Sequence, residues 1–429
     1  MEKKTLQYKL SHRKYKKPNK FIWHALNNLV IKPFLAPKFH VHTKVIDDIN
    51  KCDGPAFLIY NHQSRMDYIY ICKTTYPRPL NYMVGYNEFF RSHLSFISKL
   101  MHFIPKKNFT FDMESMRALN KIIKQNGVVC FSPEGMSSIA GHNQPVVAGT
   151  GRFFKHYKIP VYMVKLNGAY LTNNKICLDE RYGEVYATES LLLSKEDLEK
   201  LSPEEIQNKV DEALWTDEYL WNKEKHIEYK SNNRICTHLH DLMYRCPKCG
   251  EEFHMHGENN EIKCLKCGNG ATQDDYYDFH PFEGSVFPNT ITEWVDKERQ
   301  FVYREIKDNP KYEFVEKVKI GCLPKYKELK NKKTSELCGE GTIRINHDGF
   351  FFDGAKDGEP FSFKLDYKDF PTLGMVTDVS FFATYVNGEY YDFFPERPCV
   401  YKILLLVEEM HRLHVNAWKN FPWMNWIYE

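Results

Sequence analysis

The sequence predicts an α/β unit on a mainly parallel sheet with flanking helices, then a small cysteine-paired ribbon, then a β-rich module closed by a terminal helix. Three observations predict it. Short apolar runs alternate with helically spaced segments between residues 41 and 228. Two Cys-x-x-Cys pairs follow, at Cys246/Cys249 and Cys264/Cys267. From about residue 285 the chain turns to short strand-like runs divided by turn dipeptides. At 429 residues the chain exceeds one ordinary core, and 42% hydrophobic with 27% charged residues fits a globular protein. The divisions expected are 1–40, 41–228, 238–280 and 285–429.

Residues 1–40 open with a basic arm: from Lys3 to Lys20 there are eight Lys or Arg and no acid. The apolar run Phe21–Leu35 is interrupted by Asn27, Asn28 and Lys32. It falls short of the roughly 20 clean apolar residues of a spanning helix, and it has no small-residue cleavage site. Two readings stand: an arm and helix lying on an anionic membrane surface, or a solvated tail before a packed helix. Twelve Cys without a secretion signal point to a reducing compartment, with thiols free or metal-bound. A net charge of +3 is too small to argue for nucleic acid.

In the α/β unit, Pro55–Tyr60 reads as a buried strand and Met66–Lys73 as the helix after it. Met113–Gln125 is helical, with Met116, Leu119, Ile122 and Ile123 on one stripe, and Asn126-Gly127 ends it. Val128–Phe131 is a second buried strand, 151–158 a helix and Val161–Val164 a third strand. Asn222–Asn233 is polar enough for a linker. Further on, Ile291–Ile306 reads as a helix, Gly341–Ile345, Phe350–Phe352 and Phe361–Leu365 as strands, and Asn387-Gly388 as a hairpin turn. Val400–His414 reads as the closing helix. A meander closed by one helix looks like a pleckstrin-homology-type module, an architectural likeness that implies no ligand.

His62 follows the first buried strand, and Asp67 lies five residues on. An aspartate there can accept from one ring nitrogen and leave the other basic, which is what a general base for an alcohol needs. The competing use of Asp67 is to start the next helix, since Ser64-Arg65-Met66-Asp67 resembles a capping box. A second pair of this spacing, His42 and Asp47, follows no buried strand. Ser132-Pro133-Glu134-Gly135 sits just past the second buried strand, and in a parallel sheet both loops face one crevice. Glu134 there either anchors the loop or accepts from a substrate hydroxyl, and Gly135 lets backbone approach a ligand.

Together these residues resemble the glycerophospholipid acyltransferase family, which includes the 1-acylglycerol-3-phosphate acyltransferases. Its Asn-His-x4-Asp block is matched by Asn61, His62 and Asp67, and its Phe-Pro-Glu-Gly-Thr-Arg-Ser block by Pro133, Glu134, Gly135 and Ser138. Phe103–Lys107 stands in the block between, and Ile159-Pro160-Val161 in the fourth. Ser132 replaces the family's Phe, Met136 its Thr and Ser137 its Arg, while Lys106 or Lys107 replaces the arginine of the second block.

The resemblance implies an O-acyltransferase of phospholipid biosynthesis at the inner face of a membrane, cytoplasmic and peripheral. Acyl-CoA or acyl carrier protein would be the donor, and a lysophospholipid or glycerol phosphate the acceptor, with no organic cofactor. His62 and Asp67 would be catalytic, and Asn61, Lys106, Lys107, Glu134, Gly135 and Ser138 would bind substrate. The rival is a non-catalytic lipid-binding or scaffold protein on a degenerate acyltransferase domain.

Cys246-Pro-Lys-Cys249-Gly and Cys264-Leu-Lys-Cys267-Gly are near-identical knuckles. Four thiolates at this spacing suit a closed tetrahedral zinc, which is structural. Lys248, Lys263 and Lys266 are balanced by Glu251, Glu252, Glu258 and Glu261, so no basic stripe marks a nucleic-acid partner.

Overall fold

The computed structural model describes residues 4–110, 112–330, 333–416 and 418. The first three residues of the expected basic arm and residues 419–429 of the expected C-terminal module lie outside these. The first sheet contains β1 (Val41–Val45), β2 (Ala56–Tyr60), β3 (Leu80–Gly85), β4 (Ile104–Lys106), β5 (Val128–Phe131), β6 (Val161–Asn167) and β7 (Val185–Leu193). Their order is β1-β7-β6-β2-β5-β3-β4. Every pairing is parallel except β6 with β7. β2 lies at the centre and buries all five of its residues, as a strand covered on both faces must.

Register places the site. Ile59 pairs with Phe131, so the loops leaving β2 and β5 emerge side by side at one edge of the sheet. Gly85 pairs with Lys106, which carries the end of β4 to the same edge. The helix Met113–Ile123 packs Ala118, Leu119 and Ile122 against the sheet and starts at Asp112, whose carboxylate accepts from the N–H groups of Glu114 and Ser115.

The N-terminal arm is not a free tail. Tyr15 is buried, the Leu6 N–H donates to the Lys325 carbonyl, and the Asn81 amide donates to that of Lys16. Lys20–Leu26 continues into Asn27–Leu35, wound wider as a π-helix around Pro33, which has no N–H to offer the ladder. Trp23 and Ile31 are buried against the sheet, while Phe21 (80% exposed), Leu29 and Phe34 (70% exposed) face outward. Among the described residues no helix is long and apolar enough to cross a membrane.

The expected linker Asn222–Asn233 is instead packed structure. It begins inside the helix Glu218–Lys225, Asn222 and Tyr229 are buried, and the Tyr229 hydroxyl donates to the Glu184 carbonyl. The ribbon sheet consists of β8 (Met255–Glu258), β9 (Glu261–Cys264), β10 (Gly270–Gln273) and β11 (Phe279–Pro281), in the order β11-β10-β9-β8.

The third sheet is antiparallel: β12 (Glu313–Cys322), β13 (Glu336–Asn346), β14 (Gly349–Lys356), β15 (Glu359–Leu365), β16 (Gly374–Met375), β17 (Phe382–Val386) and β18 (Glu389–Pro395). The order is β15-β14-β13-β12-β18-β17-β16, with the helix Val400–Val415 closing it. That helix is tied to Ile291–Asp308 by Arg299, which pairs with Glu408 at 2.6 Å and Glu409 at 2.7 Å. One apolar cluster runs through the ribbon, both these helices and the third sheet.

Cys322 and Cys338 form a disulfide, against the expectation of thiols that are only free or metal-bound. The bulge after Ile320 brings them diagonally opposite on β12 and β13, with Cα atoms 6.0 Å apart, within reach of a bridge.

Candidate active site

His62 and Asp67 meet where β2 hands over to the helix Asp67–Thr75. His62 Nδ1 lies 2.7 Å from Asp67 Oδ2. The same oxygen accepts from the Gln63 N–H at 2.9 Å, and Oδ1 accepts from the Ser64 N–H and hydroxyl, both at 3.0 Å. One buried carboxylate thus both fixes the imidazole and ties down the loop at Gln63 and Ser64; the helix itself starts at Asp67 with Met66 at its N-cap and no side-chain cap hydrogen bond, so the expected capping box is not formed. Burial pushes the Asp67 carboxyl up, and the His62 hydrogen bond opposes that shift. With Nδ1 committed, Nε2 is the ring nitrogen left for a proton in transit. The His42–Asp47 pair is not assembled: His42 sits by Glu184, and Asp47 accepts from the Leu191 N–H.

Glu134 is the anchor of the second loop. Its Oε1 accepts from the His62 N–H at 2.8 Å and its Oε2 from the Gln144 N–H at 3.0 Å. Burial pushes this carboxyl up to about 8, against the pull of those donors and the Lys165 ammonium. Gly135 follows with φ of +73°, and a Cβ there would lie 2.9 Å from the Phe109 ring. Its carbonyl accepts from the Asn108 amide at 2.7 Å.

Other expected substrate contacts are turned to structural use. Asn61 spans β2 and β6: its amide donates to the Leu166 carbonyl and its oxygen accepts from the Leu166 N–H, both at 2.7 Å. Ser138 is buried; its hydroxyl donates to the His142 carbonyl at 2.7 Å and accepts from the Gly141 N–H, while its own N–H donates to the His62 carbonyl at 2.7 Å. The Lys106 ammonium points to the carbonyls of Lys107 and Thr110, and burial lowers its pKa. Lys107 donates to the Gly388 carbonyl at 2.8 Å and lies over the Tyr86 ring.

A cavity of about 2810 Å³ opens on the exposed side of His62. Asp67, Lys106, Glu134, Gly135 and Ser137 also line it. Apolar walls come from Trp23, Val30 and Ile31 of the N-terminal helix and from Val84, Ile97 and Phe103. The third sheet and its flanking loops close another side with Phe370, Phe381, Tyr385 and Phe394. Small-ligand pockets usually occupy about 300–1,000 Å³, so this one has room for two substrates at once. The share of the wall from residues 319–411 was not visible in the sequence, because no local motif marks it. Lys175 was missed for the same reason, while Ser137 stood in the third block only as the replacement for its Arg.

The four knuckle cysteines form a separate centre. Their sulfurs all lie within 4.8 Å of one another, with Cys246–Cys267 at 3.7 Å and Cys249–Cys264 at 3.8 Å. Sulfurs about 2.3 Å from a tetrahedral zinc would be roughly 3.8 Å apart, so the set fits that ion. The knuckles are built alike: Gly250 (φ +75°) and Gly268 (φ +73°) each donate to the carbonyl of the first cysteine, at 2.9 Å. The ribbon's histidines do not complete the cluster, and His240 Nδ1 is taken by the Gly257 N–H.

Comparison with known proteins bears on the His62 unit. No curated protein matches the chain. Among solved structures, the 1-acyl-sn-glycerophosphate (LPA) acyltransferase PlsC from Thermotoga maritima is similar, at 18% identity and a TM-score of 0.36, over 46% of this chain and 76% of that one. Residues 38–166 match the family model named Acyltransferase, a span that holds β1 through β5 and most of β6 together with His62, Asp67 and the Glu134 loop. The chain therefore carries, over residues 38–166, a domain of the acyltransferase family.

Proposed function

We propose that the protein is an O-acyltransferase of the glycerophospholipid type, moving a fatty acyl group from acyl-CoA or acyl carrier protein to the hydroxyl of a glycerophosphate or lysophospholipid. The observation that carries this reading is the 2.7 Å contact between His62 Nδ1 and Asp67 at the wall of the large cavity. His62 Nε2 takes the proton of the acceptor hydroxyl, and the freed oxygen attacks the thioester carbonyl. The C–S bond breaks, an ester forms, and the imidazolium returns its proton to the departing thiolate. Transfer is direct, since Ser64 is committed to Asp67 and no acyl-enzyme is implied. Glu134 is a positioning residue that holds the His62 main chain, and the apolar walls exclude water from the thioester.

Cys246, Cys249, Cys264 and Cys267 would hold a structural zinc, which closes the ribbon and takes no part in transfer. The outward apolar face of Phe21, Leu29 and Phe34, next to the basic arm, supports a peripheral seat on an anionic membrane surface from which lipid reaches the cavity. We keep the four-part division at 1–40, 41–228, 238–280 and 285–429 as working units rather than separate cores, because one apolar cluster runs from Met136 to Met410. Incubation of the purified full chain with labelled acyl-CoA or acyl carrier protein and a panel of glycerol phosphate and lysophospholipids tests the reading. Labelled product lipid is expected, and its absence from folded protein favours the non-catalytic lipid-binding alternative.

A further inference from the structure

We propose that Lys175 is the cation that binds the phosphate of the acyl acceptor. Lys175 lies in the loop after the short helix Ala169–Thr172 and is only 9% exposed. Its ammonium donates to the Ser137 hydroxyl at 2.9 Å. Among the described residues no carboxylate forms an ion pair with it. Ser137 and Lys175 line the cavity that His62 lines, and the next residue, Ser138, donates its N–H to the His62 carbonyl. The ammonium is therefore held on the loop that is fastened to the general base.

A buried ammonium satisfied by one hydroxyl is a costly arrangement unless something else meets it. Lysine has three donors, so two remain for a ligand. Burial lowers the Lys175 pKa to about 8, which keeps it mostly charged at neutral pH. Each of the cavity's other Lys and Arg side chains either donates to a protein acceptor or is exposed. Lys106 donates to carbonyls, Arg65 Nη2 to that of Leu178 and Arg91 Nη1 to Glu88, with Arg65 Nη1 and Arg91 Nε left without a partner among the described residues. Lys319, Lys333 and Lys368 are exposed at the rim. Ser137 stands where the resembled motif carries arginine, so a cation reaches that place here from a different segment. The C-terminal module helps to hold it, since the Asp378 N–H donates to the Lys175 carbonyl at 2.9 Å.

The inference rests on the acyl-acceptor reading, and its test separates the two. Full-length wild type and Lys175→Met are titrated with lysophosphatidate, inorganic phosphate and, as an uncharged control, monoacylglycerol. Lys175→Met is expected to fold, because it removes a buried charge and keeps the length of the chain. It weakens lysophosphatidate roughly 10–100-fold, the scale of a charge-assisted contact, and leaves monoacylglycerol unchanged. Lys175→Arg restores affinity to within about tenfold of wild type. In turnover the KM for the acceptor rises while that for acyl-CoA holds. Equal lysophosphatidate affinity in wild type and Lys175→Met, no affinity in wild type, or a loss that falls on acyl-CoA overturns the proposal. Lysophosphatidate binding that depends on Lys175 in a protein without transfer sustains this inference and sinks the transferase reading. Transfer with acceptor binding indifferent to Lys175 does the reverse.

Discussion

In the proposed reaction Asp67 orients the base and Lys175 meets the acceptor phosphate, and each has a test of its own. Asp67 accepts four hydrogen bonds through its two oxygens, one of them from the His62 ring. Asp67→Asn keeps the shape but offers an amide where Nδ1–H needs an acceptor, which favours the wrong tautomer. A fall in kcat of about 10²–10⁴ is expected, with little change in acceptor KM. Steady-state kinetics checks it, and a variant with near wild-type kcat would remove Asp67 from the mechanism. Lys175 tests whether a residue is kept at a cost to the fold. With its pKa lowered from 10.5 to about 8, its buried charge costs on the order of 3 kcal/mol at neutral pH. Lys175→Met should therefore be more stable than wild type at pH 7. Between about pH 8 and 10.5 the unfolded chain binds more protons than the folded one, so wild-type stability rises with pH and the gap closes. Denaturant unfolding at pH 7 and pH 10 measures both, and a less stable Lys175→Met at pH 7 would contradict the burial argument.

At the scale of the element, legibility followed locality. The strands β2, β5 and β6 and the helices at 67–75, 113–123 and 400–415 announced themselves, because an unbroken apolar run or a 3.6-residue stripe is written in neighbouring positions. The hairpin at Asn387-Gly388 did so through turn chemistry, and Val386 does pair with Glu389. β1 was missed because four of its five residues are exposed, whereas β4 lies within Phe103–Lys107, which the resemblance had set in the second block. The linker expected at 222–233 failed for another reason: its polar side chains are spent on partners distant in sequence, as Ser231 is on Asp275. Asn61 and Ser138 occupy the motif positions expected, yet their side chains hold backbone, a distinction that no spacing reveals. The ribbon is the element most open to test. Its cysteines Cys246 and Cys264 belong to the same apolar cluster as Trp294 and Tyr401. Cys246→Ser should release the metal and lower the melting temperature of the surrounding cluster, not of the ribbon alone. Metal analysis together with calorimetry checks this, and purified wild type without zinc or another tetrahedral metal would sink it.

For the whole molecule, three groups of side chains converge on one chamber: the His62 edge of the parallel sheet, the N-terminal helix and the third sheet. The chamber's wall includes Trp23 and Ile31, whose helix presents Phe21, Leu29 and Phe34 on its other side. A lipid that met the outward face would be one helix away from the His62 edge. Deleting the whole arm would strip Trp23 and Ile31 from the core, so the sharper probe is the triple change Phe21→Ser, Leu29→Ser, Phe34→Ser. It should leave the fold intact and weaken partition into anionic vesicles about tenfold or more, given the apolar area removed. Co-sedimentation reads the effect, and unchanged partition would end the interfacial reading.

In the proposed reaction His62, held by Asp67, takes the proton of an acceptor hydroxyl during acyl transfer. The most direct measurement is transfer of labelled acyl chains from acyl-CoA and acyl carrier protein to lysophosphatidate, with wild type and His62→Ala side by side in folded, metal-loaded form. Product lipid is expected from wild type, with a loss of about 10²-fold or more with His62→Ala. Equal transfer by both proteins, or none by wild type, would contradict it.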